Sequence, residues 1–227
     1  LSVFIFATTL LASLGSGIFF PAPTFLKENE DIDFEASDLH IKFLSNSGIS
    51  DIVVLGSMGE AANLTEEERC HVIKQYVDSV KKHHTNLKVI AGSSVQSARA
   101  TIAFTKQASA FGPNFALALS PSYYRSMIDD VVLVELSKHQ NIIGIKDTDG
   151  DVGKMTTLIH RINPKDVSTK FFLPKLFIGA VSLIAKSGNV FLDLCVEIQR
   201  LYEEGKIDKA VQLQCKLAEA DDALCRW

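Results

Sequence analysis

Short apolar segments recur along the chain at the spacing of consecutive strand and helix units. Four of them begin at Asp51, Lys88, Phe115 and Asn141, and successive starts are 37, 27 and 26 residues apart. Helical stretches lie between them, and one is expected to open at Thr65, which has capping-box spacing to Glu68. This alternation predicts a parallel β-sheet covered by helices.

The phosphate-binding glycine motifs of the common open parallel sheets are missing from the sequence. It contains no convincing GxGxxG and no GxxxxGK[ST]. A Rossmann or P-loop fold therefore lacks the sequence motif by which it is usually identified. We therefore expect an α/β fold derived from the (β/α)8 TIM barrel, with residues 17–190 forming the parallel barrel. Residues 191–227 are expected to form C-terminal helices that pack on it.

Residues 1–16 are treated separately, as an apolar N-terminal extension. The first 14 residues, LSVFIFATTLLASL, carry no charge, are too short to span a bilayer and lack the basic start of a signal peptide. A signal or transit segment, a core segment and a non-native extension are all left open. No other stretch approaches the roughly 18 uninterrupted apolar residues of a membrane helix, so no membrane partner is expected.

Composition and charge exclude several classes of protein. Lys+Arg 23 against Asp+Glu 27 gives a net charge of −4, which argues against a nucleic-acid partner. A hydrophobic fraction of 47% excludes a disordered chain. The four cysteines show no CxxC spacing, and no His/Asp/Glu set has the spacing of a metal site, so free thiols and no metal are predicted.

One lysine stands where a barrel places its chemistry, directly after a buried strand. Lys146 follows the segment NIIGI, and an ammonium among apolar barrel side chains is desolvated, which lowers the pKa of the amine. A neutral amine attacks a ketone to form a Schiff base. The alternative for a strand-end lysine is a solvated residue at the barrel rim.

Two other loops follow predicted strands. Gly56-Ser57-Met58-Gly59 comes after DIVVL, and its backbone N–H groups are suited to bind an anion such as a carboxylate. A plain turn that needs glycine dihedral angles is the alternative. Tyr123 and Tyr124 follow FALAL and suit either interface packing or proton transfer.

Taken together, these segments resemble the dihydrodipicolinate synthase and N-acetylneuraminate lyase family of class I aldolases. The segments are GSMGEAANLTEEER at 56–69, SPSYYR at 120–125 and NIIGIKDTDGDV at 141–152. GIFFPAPTF at 17–25 resembles the first strand of the family, and VIAGS at 89–93 the third. VELSKHQNIIGIKD is most similar to the 4-hydroxy-2-oxoglutarate aldolase branch.

The resemblance implies a role for each matching residue. Lys146 would be the Schiff-base lysine, and Ser57 with the N–H of Met58 would hold the substrate carboxylate. Tyr124 matches a tyrosine that reaches a neighbouring subunit's site, and Ile184 matches an apolar contact to pyruvate. The family resemblance implies a pyruvate-type 2-oxo acid as substrate, no cofactor, a homo-oligomer (dimer or tetramer), and a cytoplasmic or mitochondrial location.

The chain departs from that family between the tyrosine loop and the lysine strand. Only 21 residues separate Tyr124 from Lys146, where relatives carry a helix, a strand ending in Tyr-Asn/Ser-Val-Pro and a return loop. In the family that tyrosine is the proton relay, so here water or Tyr124, as a second catalytic residue, would have to replace it. The shortening predicts a barrel in which strands four and six come together, or one that stays open with exposed edges.

Four hypotheses about function follow. The first is a Schiff-base aldolase that cleaves a 2-oxo acid, 4-hydroxy-2-oxoglutarate by resemblance, and the second is a dihydrodipicolinate synthase-type condensation. The third is a catalytically inactive homologue, or an incomplete gene product, that serves as a binding protein. An unrelated phosphate-binding βα protein is the fourth.

Overall fold

The computed structural model describes residues 2–8, 14–119, 130–147, 151–162, 167–169, 172–180, 182–184 and 186–225. The strands are β1 (Ser2–Ala7), β2 (Gly17–Pro21), β3 (Asp51–Val54), β4 (Lys88–Gly92), β5 (Phe115–Leu119), β6 (Ile142–Asp147), β7 (Val167–Thr169) and β8 (Ser182–Ile184). The helices are α1 (Phe34–Leu44), α2 (Glu66–Lys82), α3 (Ala98–Ser109), α4 (Asp130–Ser137), α5 (Val152–Arg161), α6 (Phe172–Phe177), α7 (Leu192–Glu203) and α8 (Ile207–Cys225).

The strands close into a barrel in the order β1-β5-β4-β3-β2-β8-β7-β6. Every pair among β2 to β8 is parallel. The predicted barrel-derived α/β fold is confirmed. We call the end where the parallel strands finish the barrel mouth, and the end where they begin the barrel floor.

Closure comes from β1, which the sequence analysis did not predict. This strand lies antiparallel between β5 and β6, pairing Ile5 with Leu117 on one side and with Gly144 on the other. β5 and β6 are therefore neither paired directly nor left as edges. Residues 2–7, taken from the sequence as part of an apolar extension, form the eighth strand of the barrel.

The end of β1 and the start of β2 both lie at the barrel floor. In the ring of eight strands, these two strands stand at opposite positions. Leu14, three residues before β2, is buried in the same cluster as Phe19 and Phe115, which fill the barrel interior. Its side chain thus adds to the lower end of the interior.

The core is arranged in two layers. The inner layer lies within the barrel and consists of Ile5, Leu14, Phe19, Val53, Ile90, Phe115, Leu117 and Ile184. The outer layer lies between strands and helices; α4 and α5 contribute Leu133, Met155 and Leu158 to one part of it. None of the helices in the described part of the chain combines the length and apolar character that crossing a membrane requires.

α2 begins where the sequence predicts. The hydroxyl of Thr65 accepts a hydrogen bond from the N–H of Glu68 at 3.3 Å, and the Glu68 carboxylate accepts one from the N–H of Thr65 at 2.7 Å. Two N–H groups that the first helical turn leaves without partners are satisfied in this way. The capping box therefore fixes the direction in which the chain leaves the loop after β3.

Asp51, the first residue of β3, is a carboxyl group buried at the barrel floor. Its side chain accepts a hydrogen bond from the N–H of Lys88 at 3.1 Å, while Oδ2 has no hydrogen-bond partner among the described residues. Burial raises the pKa of Asp51 to about 6, and the N–H and charge of Lys88 only partly oppose this. The folded protein therefore holds the Asp51 proton more tightly than the unfolded chain does.

We expect Asp51 to make the protein less stable as pH rises from about 4 to about 6. A carboxyl whose pKa is raised by folding favours the folded state below its unfolded pKa, and this contribution is lost as pH passes the folded value. The loss approaches about 1 kcal/mol per pH unit within that window. Urea unfolding of the natural chain and of Asp51→Asn across pH 4–7 measures it. The difference between the two chains should vary with pH, and a constant difference would contradict the prediction.

Candidate active site

Lys146 lies near the end of β6, at the barrel mouth. Its neighbour Ile145 is buried against the α4 and α5 side chains of the outer layer. Since successive side chains of a strand point to opposite faces, Lys146 faces the barrel interior. The lysine is half-buried, and its register partners are Val3 in β1 and Ser168 in β7.

The loop after β3 lies on the opposite side of the mouth from the strand that carries Lys146. β3 and β6 are four positions apart in the ring of eight strands. Ser57 and Met58 are both exposed on this loop. Among the described residues, neither of their backbone N–H groups has a hydrogen-bond partner. Both predicted elements therefore lie at the barrel mouth: an amine on one wall, and a hydroxyl with two N–H donors on the opposite wall.

The shape of this loop depends on Leu55 rather than on glycine dihedral angles. Leu55 is 4% exposed and has a φ of +56°, in the left-handed region that non-glycine residues rarely adopt. Neither Gly56 nor Gly59 has a positive φ. Gly59 is needed for space instead, because a Cβ there would lie 2.9 Å from the Leu55 nitrogen. Backbone strain of about 1–3 kcal/mol is held at the start of the candidate anion-binding loop.

Two contacts hold the strained loop in place. The hydroxyl of Thr24, just after β2, donates a hydrogen bond to the carbonyl of Gly59 at 2.6 Å. On the other side, Gly92 at the end of β4 packs so closely that an added Cβ would stand 2.1 Å from the Leu55 carbonyl oxygen. The loop conformation is therefore supported by Thr24 after β2 and by Gly92 at the end of β4, without a ligand.

A buried arginine fastens α2 to the mouth end of β4. Arg69 donates to the carbonyls of Gly92 at 3.3 Å and Ser94 at 3.2 Å, and its guanidinium lies 4.0 Å from the ring centroid of Phe104. Burial lowers the pKa of Arg69 from its ordinary value. Ser94 in turn accepts a hydrogen bond from the N–H of Leu119 at 2.6 Å, which joins the ends of β4 and β5.

Two predicted site residues remain, Ile184 and Tyr124, and the structure describes only the first of them. Ile184 ends β8, is 3% exposed and belongs to the inner layer of the core, so it lies on the interior wall between Lys146 and the Ser57 loop. Tyr124 lies outside the described residues. Within the described part of the chain, no three His, Cys, Asp or Glu side chains gather as a metal ion would need.

Comparison with known proteins decides the family. The family model described as "Dihydrodipicolinate synthetase family" matches residues 15–132 and 126–226. The chain belongs to this family. The two matches overlap at residues 126–132, between Tyr124 and Lys146. This overlap lies in the chain between β5 and β6, the two strands that flank β1 in the barrel.

Two curated relatives are similar over most of their length. The first is named "Probable 4-hydroxy-2-oxoglutarate aldolase, mitochondrial", from Emericella nidulans; it is 32% identical over 90% of this chain and 79% of the relative. The second is an L-threo-3-deoxy-hexylosonate aldolase from Hypocrea jecorina, 30% identical over 92% of this chain and 82% of the relative. Membership in a family of aldolases and lyases is supported on this evidence.

Solved structures of the family share the fold. A dihydrodipicolinate synthase from Bacillus anthracis superposes with a TM-score of 0.87 at 25% identity, over 94% of this chain and 84% of the other. A second, from Acinetobacter baumannii and solved with pyruvate, gives a TM-score of 0.84 at 23% identity, over 92% and 83% of the two chains. At that identity the second comparison shows the fold alone.

Sequence reasoning missed the residues that support the site. Thr24 could have been found, because it follows β2 at a strand end. Arg69 stands in the run EEER at the start of α2, and a charged run there is typical of a solvated face. Nothing in the sequence around Leu55 indicates that its backbone is left-handed.

Proposed function

We propose that this protein is a lysine-dependent aldolase that cleaves small 2-oxo acids, with Lys146 as the nucleophile. The observation that supports it is the placement of Lys146 at the barrel mouth, facing inward and opposite the Ser57 loop. An eight-stranded barrel is only wide enough inside for side chains or one small ligand. A short acid therefore suits the space between the amine and the loop.

The Ser57 loop supplies the orientation that the chemistry needs. In this proposal the hydroxyl of Ser57 and the N–H of Met58 donate to the substrate carboxylate at C1. The adjacent carbonyl carbon, C2, is then directed at the Lys146 amine. Ile184 provides an apolar wall for the carbon chain. Holding the reacting groups in this geometry removes much of the entropic cost of bringing them together.

The reaction proceeds through an iminium ion on Lys146. The neutral amine adds to C2, and the carbinolamine loses water to give the iminium. A base then takes the proton of the C4 hydroxyl, the C3–C4 bond breaks, and its electron pair moves toward the iminium to form an enamine. The C4 fragment leaves as an aldehyde. Protonation at C3 and hydrolysis release pyruvate and regenerate the amine.

For the substrate, 4-hydroxy-2-oxoglutarate is our first choice, and it would yield pyruvate and glyoxylate. The name of the Emericella nidulans relative supports this choice, and the Hypocrea jecorina relative supports cleavage of a longer 2-oxo acid. A condensation of the dihydrodipicolinate synthase type is the alternative.

The name of the Emericella nidulans relative also favours a mitochondrial over a cytoplasmic location for this protein. We also propose a homo-oligomer, a dimer or tetramer, which sedimentation would test.

Trapping of the Schiff base tests the proposal directly. Incubating the purified chain with pyruvate and sodium cyanoborohydride should add one carboxyethyl group to Lys146, located by intact mass and peptide mapping. Hydride reduces the iminium and makes the bond permanent. Lys146→Arg, which keeps the charge but lacks a nucleophilic amine, should remain unmodified. A folded natural chain that forms no adduct would overturn the proposal.

A second candidate is a family member that binds a 2-oxo acid without turning it over. It is favoured by one observation: the antiparallel strand β1 stands between β5 and β6. The family resemblance implies at this place a βα unit that carries the relay tyrosine. Adduct formation without release of glyoxylate from 4-hydroxy-2-oxoglutarate would identify this case. Adduct formation with glyoxylate release would identify the aldolase.

A further inference from the structure

Two buried polar side chains lie at the barrel floor, at the opposite end of the barrel from the candidate active site. Asp51 begins β3 and Ser182 begins β8, and each is only 2% exposed. Among the described residues, neither Oδ2 of Asp51 nor Oγ of Ser182 has a hydrogen-bond partner. We propose that these two atoms form an internal binding site for one water molecule, which donates a hydrogen bond to Asp51 and accepts one from Ser182.

Both side chains point into the barrel interior. Val53 of β3 and Ile184 of β8 belong to the inner layer of the core. Side chains two residues apart on a strand point to the same face. Asp51 and Ser182, two residues earlier on these strands, therefore point inward as well, where bulk water does not reach them.

Only β2 separates the two strands. It pairs with β3 on one side and with β8 on the other. Neighbouring strands are about 4.8 Å apart, so β3 and β8 are about 10 Å apart along the wall, and side chains that point inward come closer together than their backbones do. Gly17, the β2 residue that pairs with Ser182, contributes no side chain to the space between them. The two polar atoms therefore lie on the same side of the interior without bonding each other, which is the arrangement that a single bridging molecule completes.

The surroundings of the two atoms favour a water molecule over a cation. A buried polar atom without a partner loses its hydration and gains nothing in return, and native proteins satisfy such atoms with ordered water. A cation is disfavoured by Lys88, whose positive charge already acts on the Asp51 carboxylate and whose Nζ lies 5.6 Å from the ring centroid of Phe115 in the barrel interior. A water molecule carries no charge, and it supplies both the donor that a carboxylate needs and an acceptor for the hydroxyl.

A crystal structure of the full chain, at a resolution that shows ordered water, tests the site directly. Electron density for one oxygen is expected at hydrogen-bond distance, about 2.7–3.0 Å, from both Asp51 Oδ2 and Ser182 Oγ. Absence of this density, or a direct hydrogen bond between the two side chains, would overturn the proposal. Shorter distances, of the kind seen in metal–oxygen bonds, would show a cation and would overturn it as well.

Relaxation dispersion of oxygen-17 in the solvent counts long-lived internal waters in solution. Ser182→Ala leaves one side-chain partner at the site, too few to hold a buried water, so the count should fall by one. Ser93→Ala is the matched control, because Ser93 is also fully buried but its hydroxyl already accepts a hydrogen bond from the hydroxyl of Thr105 at 2.8 Å. The control should keep the count of the natural chain. An equal count in all three chains would contradict a water at the floor.

A double-substitution cycle tests whether the two side chains act through the same molecule. Asp51→Leu, which keeps the branched shape of aspartate without its oxygens, Ser182→Ala and the double variant are compared with the natural chain by urea unfolding. If the two side chains share one water, the second substitution has less to lose than the first. The unfolding constant of the double variant should therefore be about fivefold below the product of the two single effects. Simple multiplication of the single effects would overturn the shared site. None of these measurements depends on Lys146 chemistry.

Discussion

Gly92→Ala is expected to lower the free energy of unfolding by at least about 3 kcal/mol. The added Cβ would stand 2.1 Å from the carbonyl oxygen of Leu55 and 3.0 Å from that of Val54. Both are backbone atoms, so no side-chain rotation relieves the contact. Relief requires β3 and β4 to move apart, or Leu55 to leave its left-handed conformation, and either change displaces the loop that carries Ser57.

Gly15→Ala is the matched control for this substitution. A Cβ at Gly15 would meet nothing within 4 Å, and its φ is not positive. The control should stay within about 0.5 kcal/mol of the natural chain. Urea unfolding of the three chains gives the comparison. Equal transition midpoints for the two alanine variants would contradict the close approach of β4 to the loop.

Ser57→Asp is expected to raise the pyruvate concentration that gives half-maximal trapping of Lys146 by about 30- to 100-fold. This prediction rests on the proposed function. Two like charges about 4 Å apart near a protein surface repel by about 4 kcal/mol, and the exposure of Ser57 reduces that to about 2–3 kcal/mol. The amine itself is unchanged, so adduct formation at saturating pyruvate should recover.

Two further variants separate charge from the loss of a hydrogen bond. Ser57→Ala removes only the hydroxyl and should raise the half-saturating concentration about fivefold, the effect of losing about 1 kcal/mol. Ser57→Thr keeps the hydroxyl and should resemble the natural chain. If the aspartate and threonine variants trap pyruvate at the same concentrations, then the loop does not face the substrate carboxylate.

Local sequence patterns were sufficient to predict β3, β4, β5 and α2. The three strands are short apolar runs with buried residues on both faces, and α2 begins with a capping box. Helix α1 shows what such patterns leave undecided. Leu39 and Phe43 are both 63% exposed, whereas Ile41 and Leu44 are fully buried. The helix has apolar residues on two sides, and only the position of its neighbours decides which side is buried.

Long-range pairing was beyond the reach of the same patterns. Residues 2–7 read as an apolar segment of several possible kinds, and nothing local indicates that their partners are β5 and β6. β7 and β8 are only three residues long, too short for periodicity to reveal. The candidate site shows the same division: Lys146 and Ser57 follow apolar runs that mark strand ends, whereas nothing local marks the left-handed backbone of Leu55 or its close approach to Gly92.

The position of β1 also determines how long this strand waits for its partners during synthesis. Its partners in β5 and β6 lie more than 100 residues further along the chain. At ribosomal rates this segment emerges on the order of 10 seconds before the strands that will bury it. During that interval it is an uncharged, strongly β-prone sequence without a partner, which is the composition of an aggregation-prone segment. We therefore expect β1 to be the segment most exposed to aggregation until its second partner strand, β6, has been made.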